Sequence, residues 1–171
     1  MQPTTPSAPG RAAPGIPAQA AALLGFLLAV GIVGAIGSAA TLPAIPDWYA
    51  GLAKPGYTPP NWLFGPAWTA LYLAMAVAAW LVWRRRDRFP VRIPLTAWAV
   101  QLVLNALWSV LFFGLRLPGP ALLEILVLWV AILVTLLGFR GVSRPAGWLM
   151  APYLAWVSYA VALNAGIWIL N

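Results

Sequence analysis

Five stretches of this sequence stay apolar for about twenty residues, the length an α-helix needs to cross a hydrocarbon core about 30 Å thick. They fall at about 19–42, 61–83, 93–114, 120–139 and 147–169, each bounded by charge, proline or glycine. The first ends at Leu42-Pro43, and the second follows Pro59-Pro60, a favourable place for a helix to begin. The third begins near Pro94 and stops at Gly114; Pro118-Gly119-Pro120 opens the fourth and Arg144-Pro145 precedes the fifth. The chain is 63% hydrophobic and 8% charged, where soluble domains carry about 25% charged residues. The predicted fold class is therefore all-α, an integral membrane bundle of five transmembrane helices spanning residues 20–171 as one domain. Residues 1–19, rich in Pro and Ala, lack an apolar period and read as a disordered tail. Ser38-Ala39-Ala40 loosely resembles a signal-peptide cleavage site, but the run from Ala18 to Leu42 exceeds the usual apolar core of about 7–15 residues. The segment is read as a helix.

The net charge is +7, a sign that in isolation would suggest nucleic acid. Position argues otherwise. Arg84, Arg85, Arg86, Arg88 and Arg92 fall in one short loop, and Arg140 and Arg144 in another. The 43–60 loop has only Lys54 and the 115–119 loop only Arg116. The positive-inside rule makes the two arginine-bearing loops cytoplasmic in an inner membrane, with the N-terminus inside and the C-terminus outside. Inner versus outer membrane stays open. The partner is lipid, and no nucleic acid is expected.

Chemistry is bounded by what is missing. There is no cysteine and no histidine, which removes thiolate nucleophiles, Cys/His metal sites and imidazole acid–base catalysis. The acids are Asp47, Asp87 and Glu124 alone, a poor supply for a two-carboxylate mechanism, and no metal site is expected. Glu124 reads as an interfacial carboxylate near Arg116.

Eleven tryptophans are an excess for 171 residues. Trp48, Trp62, Trp83, Trp148 and Trp168 lie near span ends, where the aromatic belt places them. Trp80, Trp98 and Trp129 suit lipid or helix contacts. Trp68, Trp108 and Trp156 lie further inside, and helical spacing gives them company. Trp68, Tyr72, Met75 and Ala79 share one face of the second span. Gln101, Asn105, Trp108 and Phe112 share one of the third. Pro152, Trp156, Ala160 and Asn164 share one of the fifth, with Tyr159 beside them. Polar groups at membrane depth face a bundle interior or a cavity. Trp68 lies roughly 10 Å and Asn105 roughly 13 Å from the outer surface, with Trp156 roughly 20 Å down as a floor. The three stripes thus point to one chamber in the outer half, its flat walls suited to a large planar apolar ligand. The amides Gln101, Asn105 and Asn164 also fit a second reading, as hydrogen-bonding glue between helices.

The loop above, PAIPDWYAGLAKPGYTPP over 43–60, holds five prolines and three aromatics and should be stiff. Composition leaves it as either a lid or an interfacial connector. Gly31, Gly34 and Gly37 with Ala35 and Ala39, and the row Ala70, Ala74, Ala78, permit close helix packing, within the bundle or between protomers.

The runs KPGYTPPNWLFGPAWTALYLAM (54–75), QLVLNALWSVLFFG (101–114) and APYLAWVSYAVALNAGIWILN (151–171) resemble those of the tryptophan-rich sensory protein family, the translocator proteins also called peripheral benzodiazepine receptors. The resemblance spans nearly all of 20–171. It implies a five-helix homodimer that binds porphyrins and, in some members, sterols and isoquinoline-type drugs. It carries ligand-binding positions onto Trp68, Tyr72, Asn105, Trp108, Trp156 and Ala160. It also makes the first loop the cover, with Trp48, Tyr49, Tyr57, Pro59 and Pro60 as lid candidates. Two departures stand out: Gly56 and Tyr57 occupy the place where the family commonly has tryptophan after Lys-Pro, and the sterol pattern, which ends in a basic residue, is missing after Tyr159. The expected function is a membrane receptor or sensor for a protoporphyrin-like tetrapyrrole, metal-free because no histidine can ligate iron, with no required cofactor. Two alternatives are a transporter of such ligands and a light-dependent porphyrin-degrading enzyme using Trp68 and Trp156.

Overall fold

The structure, a computed structural model, describes residues 14–171. Its elements in chain order are α1 (Ile16–Thr41), α2 (Phe64–Trp83), α3 (Arg92–Ser109), α4 (Pro118–Val142) and α5 (Arg144–Leu170). All five helices, the short turns at the starts and ends included, are long and apolar enough to cross a membrane. There is no strand among the described residues. A backbone in lipid must satisfy its own hydrogen bonds, and helices do so within each segment.

The sequence signals explain most boundaries. Pro17, Pro118 and Pro145 sit in the first turns of α1, α4 and α5, where a missing N–H costs nothing. α1 begins at Ile16, so residues 16–19 are helical rather than part of a tail; Pro14 and Gly15 precede the helix, and residues 1–13 of the expected tail lie outside the described residues. A single 3₁₀ turn, Asn61–Leu63, leads into α2. α3 does not stop at Ser109 but widens into a π-type turn over Val110–Gly114, and Arg116 then takes a left-handed φ of 58°. α4 and α5 extend beyond the apolar windows because Arg140 and Arg144 carry their charge at the end of a long apolar stem.

Ser143 alone joins α4 to α5, buried and extended at φ −149°. That hairpin is tight enough to require Gly147, where an added Cβ would lie 2.7 Å from the Cβ of Arg140. Arg85 ties the two arginine-bearing connections together, donating from Nη1 to the carbonyl of Val142 at 2.7 Å.

The core is made by four helices. Met75, Ala76, Ala79 and Val82 of α2 meet Trp98 and Leu102 of α3, Ile125, Leu128, Ile132 and Phe139 of α4, and Ala146, Met150, Tyr153 and Val157 of α5. α1 is peripheral and fully buries just Val30 and Gly37. Its Leu24, Leu28, Ile32 and Ile36 recur every fourth residue and stay 45–61% exposed, a lipid-facing stripe. Without a hydrophobic drive between helices in lipid, small residues and interhelical hydrogen bonds hold the bundle, the latter averaging about 0.6 kcal/mol each. Four of the tryptophans act this way, Trp80 and Trp108 among them. Trp98 Nε1 donates to the Met75 carbonyl at 3.2 Å, and Trp129 Nε1 to Ser158 Oγ at 2.7 Å.

Candidate functional site: an aromatic chamber at the arginine-poor end

At the end of the bundle away from the arginine-bearing connections, which is termed outer for that position alone, the helices part around a cavity of about 560 Å³. α2 supplies Trp68, Thr69 and Tyr72, with Asn61, Trp62 and Phe64 leading into it. α3 and its π-type extension supply Trp108, Ser109, Phe112 and Phe113. α5 supplies Trp156, Tyr159, Ala160, Leu163, Asn164 and Ile167, and α1 closes the ring with Gly34, Gly37, Ser38 and Thr41. No lining side chain is charged. Ser38, Leu42, Asn61, Trp62, Gly65 and Thr69 line the chamber yet remain exposed. The chamber therefore communicates with the exterior between α1 and the start of α2, and α3 and α5 form its buried back.

The walls are rings packed on one another, edge to face in some pairs and tilted or stacked in others. Trp68 lies 5.4 Å from Tyr72 and 6.1 Å from Tyr153, centroid to centroid. Trp156 meets Phe64 and Tyr159, each at 6.0 Å, and Trp108 stacks on Phe112 at 5.4 Å. Phe112 and Phe113 are consecutive and would diverge on a regular helix. The widened turn lets both reach the chamber.

Five of the six ligand positions expected from the sequence, Trp68, Tyr72, Trp108, Trp156 and Ala160, converge on this one space. Asn105 does not. It is 1% exposed and sits behind the wall, where Oδ1 accepts from the Tyr72 hydroxyl at 2.7 Å and Nδ2 donates to the Tyr153 hydroxyl at 3.1 Å. With both ends of its amide engaged, it fixes Tyr72 instead of offering a polar anchor. Asn164 divides its role: it lines the chamber while accepting from Trp108 Nε1 at 3.1 Å and donating to the Pro118 carbonyl at 2.7 Å. Glu124 is not paired with Arg116. Both its carboxylate oxygens are buried without a hydrogen-bond partner among the described residues, and Arg116 is exposed. Pro152, placed with Trp156 by spacing, is exposed; the neighbouring Tyr153, fully buried, takes the interior position.

The 43–60 loop is docked on the outer end of α5. The backbone of Ala53 exchanges two hydrogen bonds with the Asn171 side chain, each 3.0 Å. The Tyr57 hydroxyl donates to the Ala162 carbonyl at 3.0 Å, and the Tyr57 carbonyl accepts from Tyr159 at 2.7 Å. Gly166 permits this approach, since a Cβ there would collide with the Pro55 ring. Of the five lid candidates, Tyr49 alone lines the chamber. Trp48 packs instead on Phe112 at 5.6 Å and Phe113 at 6.4 Å, Tyr57 is half exposed, and Pro59 and Pro60 stand outside the lining. Tyr49 is 3% exposed, and its hydroxyl has no hydrogen-bond partner among the described residues. Burial first, and the nearby Tyr159 second, hold its phenol above the ordinary value, so at neutral pH it remains a neutral donor.

The wall contributed by α1 was not foreseen. Its signal was the glycine spacing, which composition could not assign to a surface. An added Cβ at Gly34 would lie 3.3 Å from the Tyr72 ring, and one at Gly37 would lie 3.3 Å from Ser109 Oγ. These two glycines let α1 approach α2 and α3.

Such an arrangement defines a multi-pass integral membrane protein with an uncharged aromatic chamber enclosed by its own helices. The chain belongs to the TspO/MBR family, whose model matches residues 25–169. Its relatives include a tryptophan-rich protein TspO of Archaeoglobus fulgidus, 42% identical over 149 residues that cover 87% of this chain and 96% of that protein. The human translocator protein is 38% identical over 147 residues, 85% of this chain and 87% of its own. A tryptophan-rich sensory protein of Cereibacter sphaeroides is 36% identical over 139 residues, 81% and 86% respectively. Membership assigns the chain a membrane role of the receptor, sensor or transporter kind.

Proposed function

We propose that the protein is a membrane receptor that binds a planar, largely apolar tetrapyrrole of the protoporphyrin type in the outer-half chamber. The observation that carries this reading is the lining itself: a cavity of about 560 Å³, within the usual range of about 300–1,000 Å³ for small-molecule sites, walled by aromatic faces and free of charge. Trp68, Tyr72, Trp108 and Trp156 would stack against the macrocycle, with edge and face contacts worth about 0.5–1.5 kcal/mol each beyond burial. Ala160 leaves room for the ring. The polar contacts fall to the exposed lining groups Asn61 and Thr69, since the Tyr49 hydroxyl and the Asn105 amide are buried. The ligand's carboxylates lie toward the exposed rim at Asn61 and Ser38, since nothing in the wall would neutralise them.

The reading is tested by titrating protoporphyrin IX into purified protein and following tryptophan fluorescence. Saturable quenching is expected, and the double variant Trp68→Phe/Trp156→Phe should bind more weakly by a direct absorbance titration of the porphyrin. Identical affinity in wild type and double variant would reject the chamber as the site.

A further inference from the structure

At the opposite end of the bundle the charge is not merely abundant but organised. The 84–92 turn holds five arginines and the α4–α5 connection two more, against Asp87 as the only acid nearby. Asp87 is already engaged, its carboxylate 3.6 Å from Arg88 Nε. A positive-inside signal requires basic residues in a loop but no particular arrangement of them. Here the Arg86 guanidinium carbon lies over the Trp83 ring, 3.5 Å from its centroid, and that of Arg84 over Trp80 at 4.8 Å. A guanidinium positioned over an indole still has N–H groups to offer, and its planar fork is suited to phosphate. Beside them is a cleft of about 530 Å³ lined by Arg86, Asp87, Phe89, Pro90, Val91 and Arg92, with Pro14 at its edge. Among the described residues, neither Arg86 nor Arg92 has a carboxylate partner.

We propose that this cleft is a binding site for an anionic phospholipid, with the phosphate held by Arg86 and Arg92 and the first chain segments lying on Phe89 and Pro90. Three features select a lipid over a free anion. Arg86 lies three residues beyond the end of α2 and Arg92 opens α3, which puts both at headgroup level. The cleft joins its cations to an apolar wall, which a free phosphate could not use. Phe89 and Ile93 are 39% and 81% exposed and extend that wall toward the hydrocarbon. Basic recesses between transmembrane helices are suited to acidic headgroups, with each surface cation adding severalfold to the affinity. Trp83 holds the Arg86 head in place before the lipid arrives, which lowers the ordering cost of binding.

The test uses the whole protein in non-ionic detergent with added phosphatidylglycerol, phosphatidylcholine or inorganic phosphate, read by native mass spectrometry and thermal melting. Phosphatidylglycerol should give one saturable adduct and a raised melting temperature, whereas phosphatidylcholine and phosphate should give neither. The double variant Arg86→Gln/Arg92→Gln should bind phosphatidylglycerol about thirtyfold more weakly. The variant Lys54→Gln/Arg116→Gln, which removes the same charge from the other end, should bind it as wild type does. Raising salt on the wild type to about 1 M, where the screening length falls to about 3 Å, should erase the preference, and this arm needs no variant to fold. Equal adducts with both lipids, an equal loss in both double variants, or equal stabilisation by inorganic phosphate would each overturn the proposal.

Discussion

The inner and outer halves of this bundle are built from the same helices and yet are filled in opposite ways. In the inner half Ala76, Ala79 and Val82 of α2 meet Phe139 of α4 and Ala146 and Met150 of α5, all fully buried, and the helices close to backbone contact at Gly147. In the outer half large rings stand where the small residues stood, their centroids 5.4–6.0 Å apart, and leave the chamber open between them. Small side chains let helices meet; rigid rings braced against one another hold them apart. The hydrogen bonds differ in the same sense. Inside, Trp98 bonds to backbone and adds only packing, whereas outside, the Tyr72–Asn105–Tyr153 chain fixes the wall of a space.

That contrast can be broken most severely at its closed end. Gly147→Leu forces a side chain into the α4–α5 contact and is expected to lower stability by about 3 kcal/mol, seen as a large fall in melting temperature or loss of folded protein. Asn105→Ala comes next. It leaves the Tyr72 and Tyr153 hydroxyls unpaired behind the wall, at a cost of about 1–3 kcal/mol, and it should weaken porphyrin binding although Asn105 does not line the chamber. Ala160→Phe should fill the open end without disturbing the closed one, reducing protoporphyrin affinity about tenfold while melting within about 1 kcal/mol of wild type. The smallest effect belongs to Tyr49→Phe. Removing an unpartnered buried hydroxyl leaves stability unchanged or slightly higher and ligand binding within about twofold of wild type. Because burial raises the Tyr49 phenol, its contribution to stability is complete below the ordinary value near 10 and declines as pH rises beyond it. A stability titration from neutral to alkaline pH should show this decline in wild type and less of it in Tyr49→Phe.

Much of this was legible in the sequence because membrane spans obey a simple rule: length and polarity decide them. The convergence of Trp68, Tyr72, Trp108, Trp156 and Ala160 followed from helical spacing, which survives into the structure wherever the helix is regular. The misses share a cause. Asn105 lies on the expected stripe, but spacing gives direction and not depth, and a buried amide one layer back looks the same as one at the surface. Pro152 and Tyr153 are adjacent, and a rotation of part of a turn decides which faces inward. Phe113 depends on a widened turn that no periodicity announces. Gly34 and Gly37 read as a packing surface, and which neighbour they pack against is a tertiary fact. The loop residues Trp48, Tyr57, Pro59 and Pro60 could not be sorted from Tyr49 because their positions come from docking on α5 and not from local preference.

The single-residue connection at Ser143 leaves α4 and α5 no freedom to part in the folded bundle. One extended residue spans only about 3.5 Å, so the two spans move as one antiparallel unit, and Arg140 and Arg144, exposed on either side of the connection, mark the same membrane face.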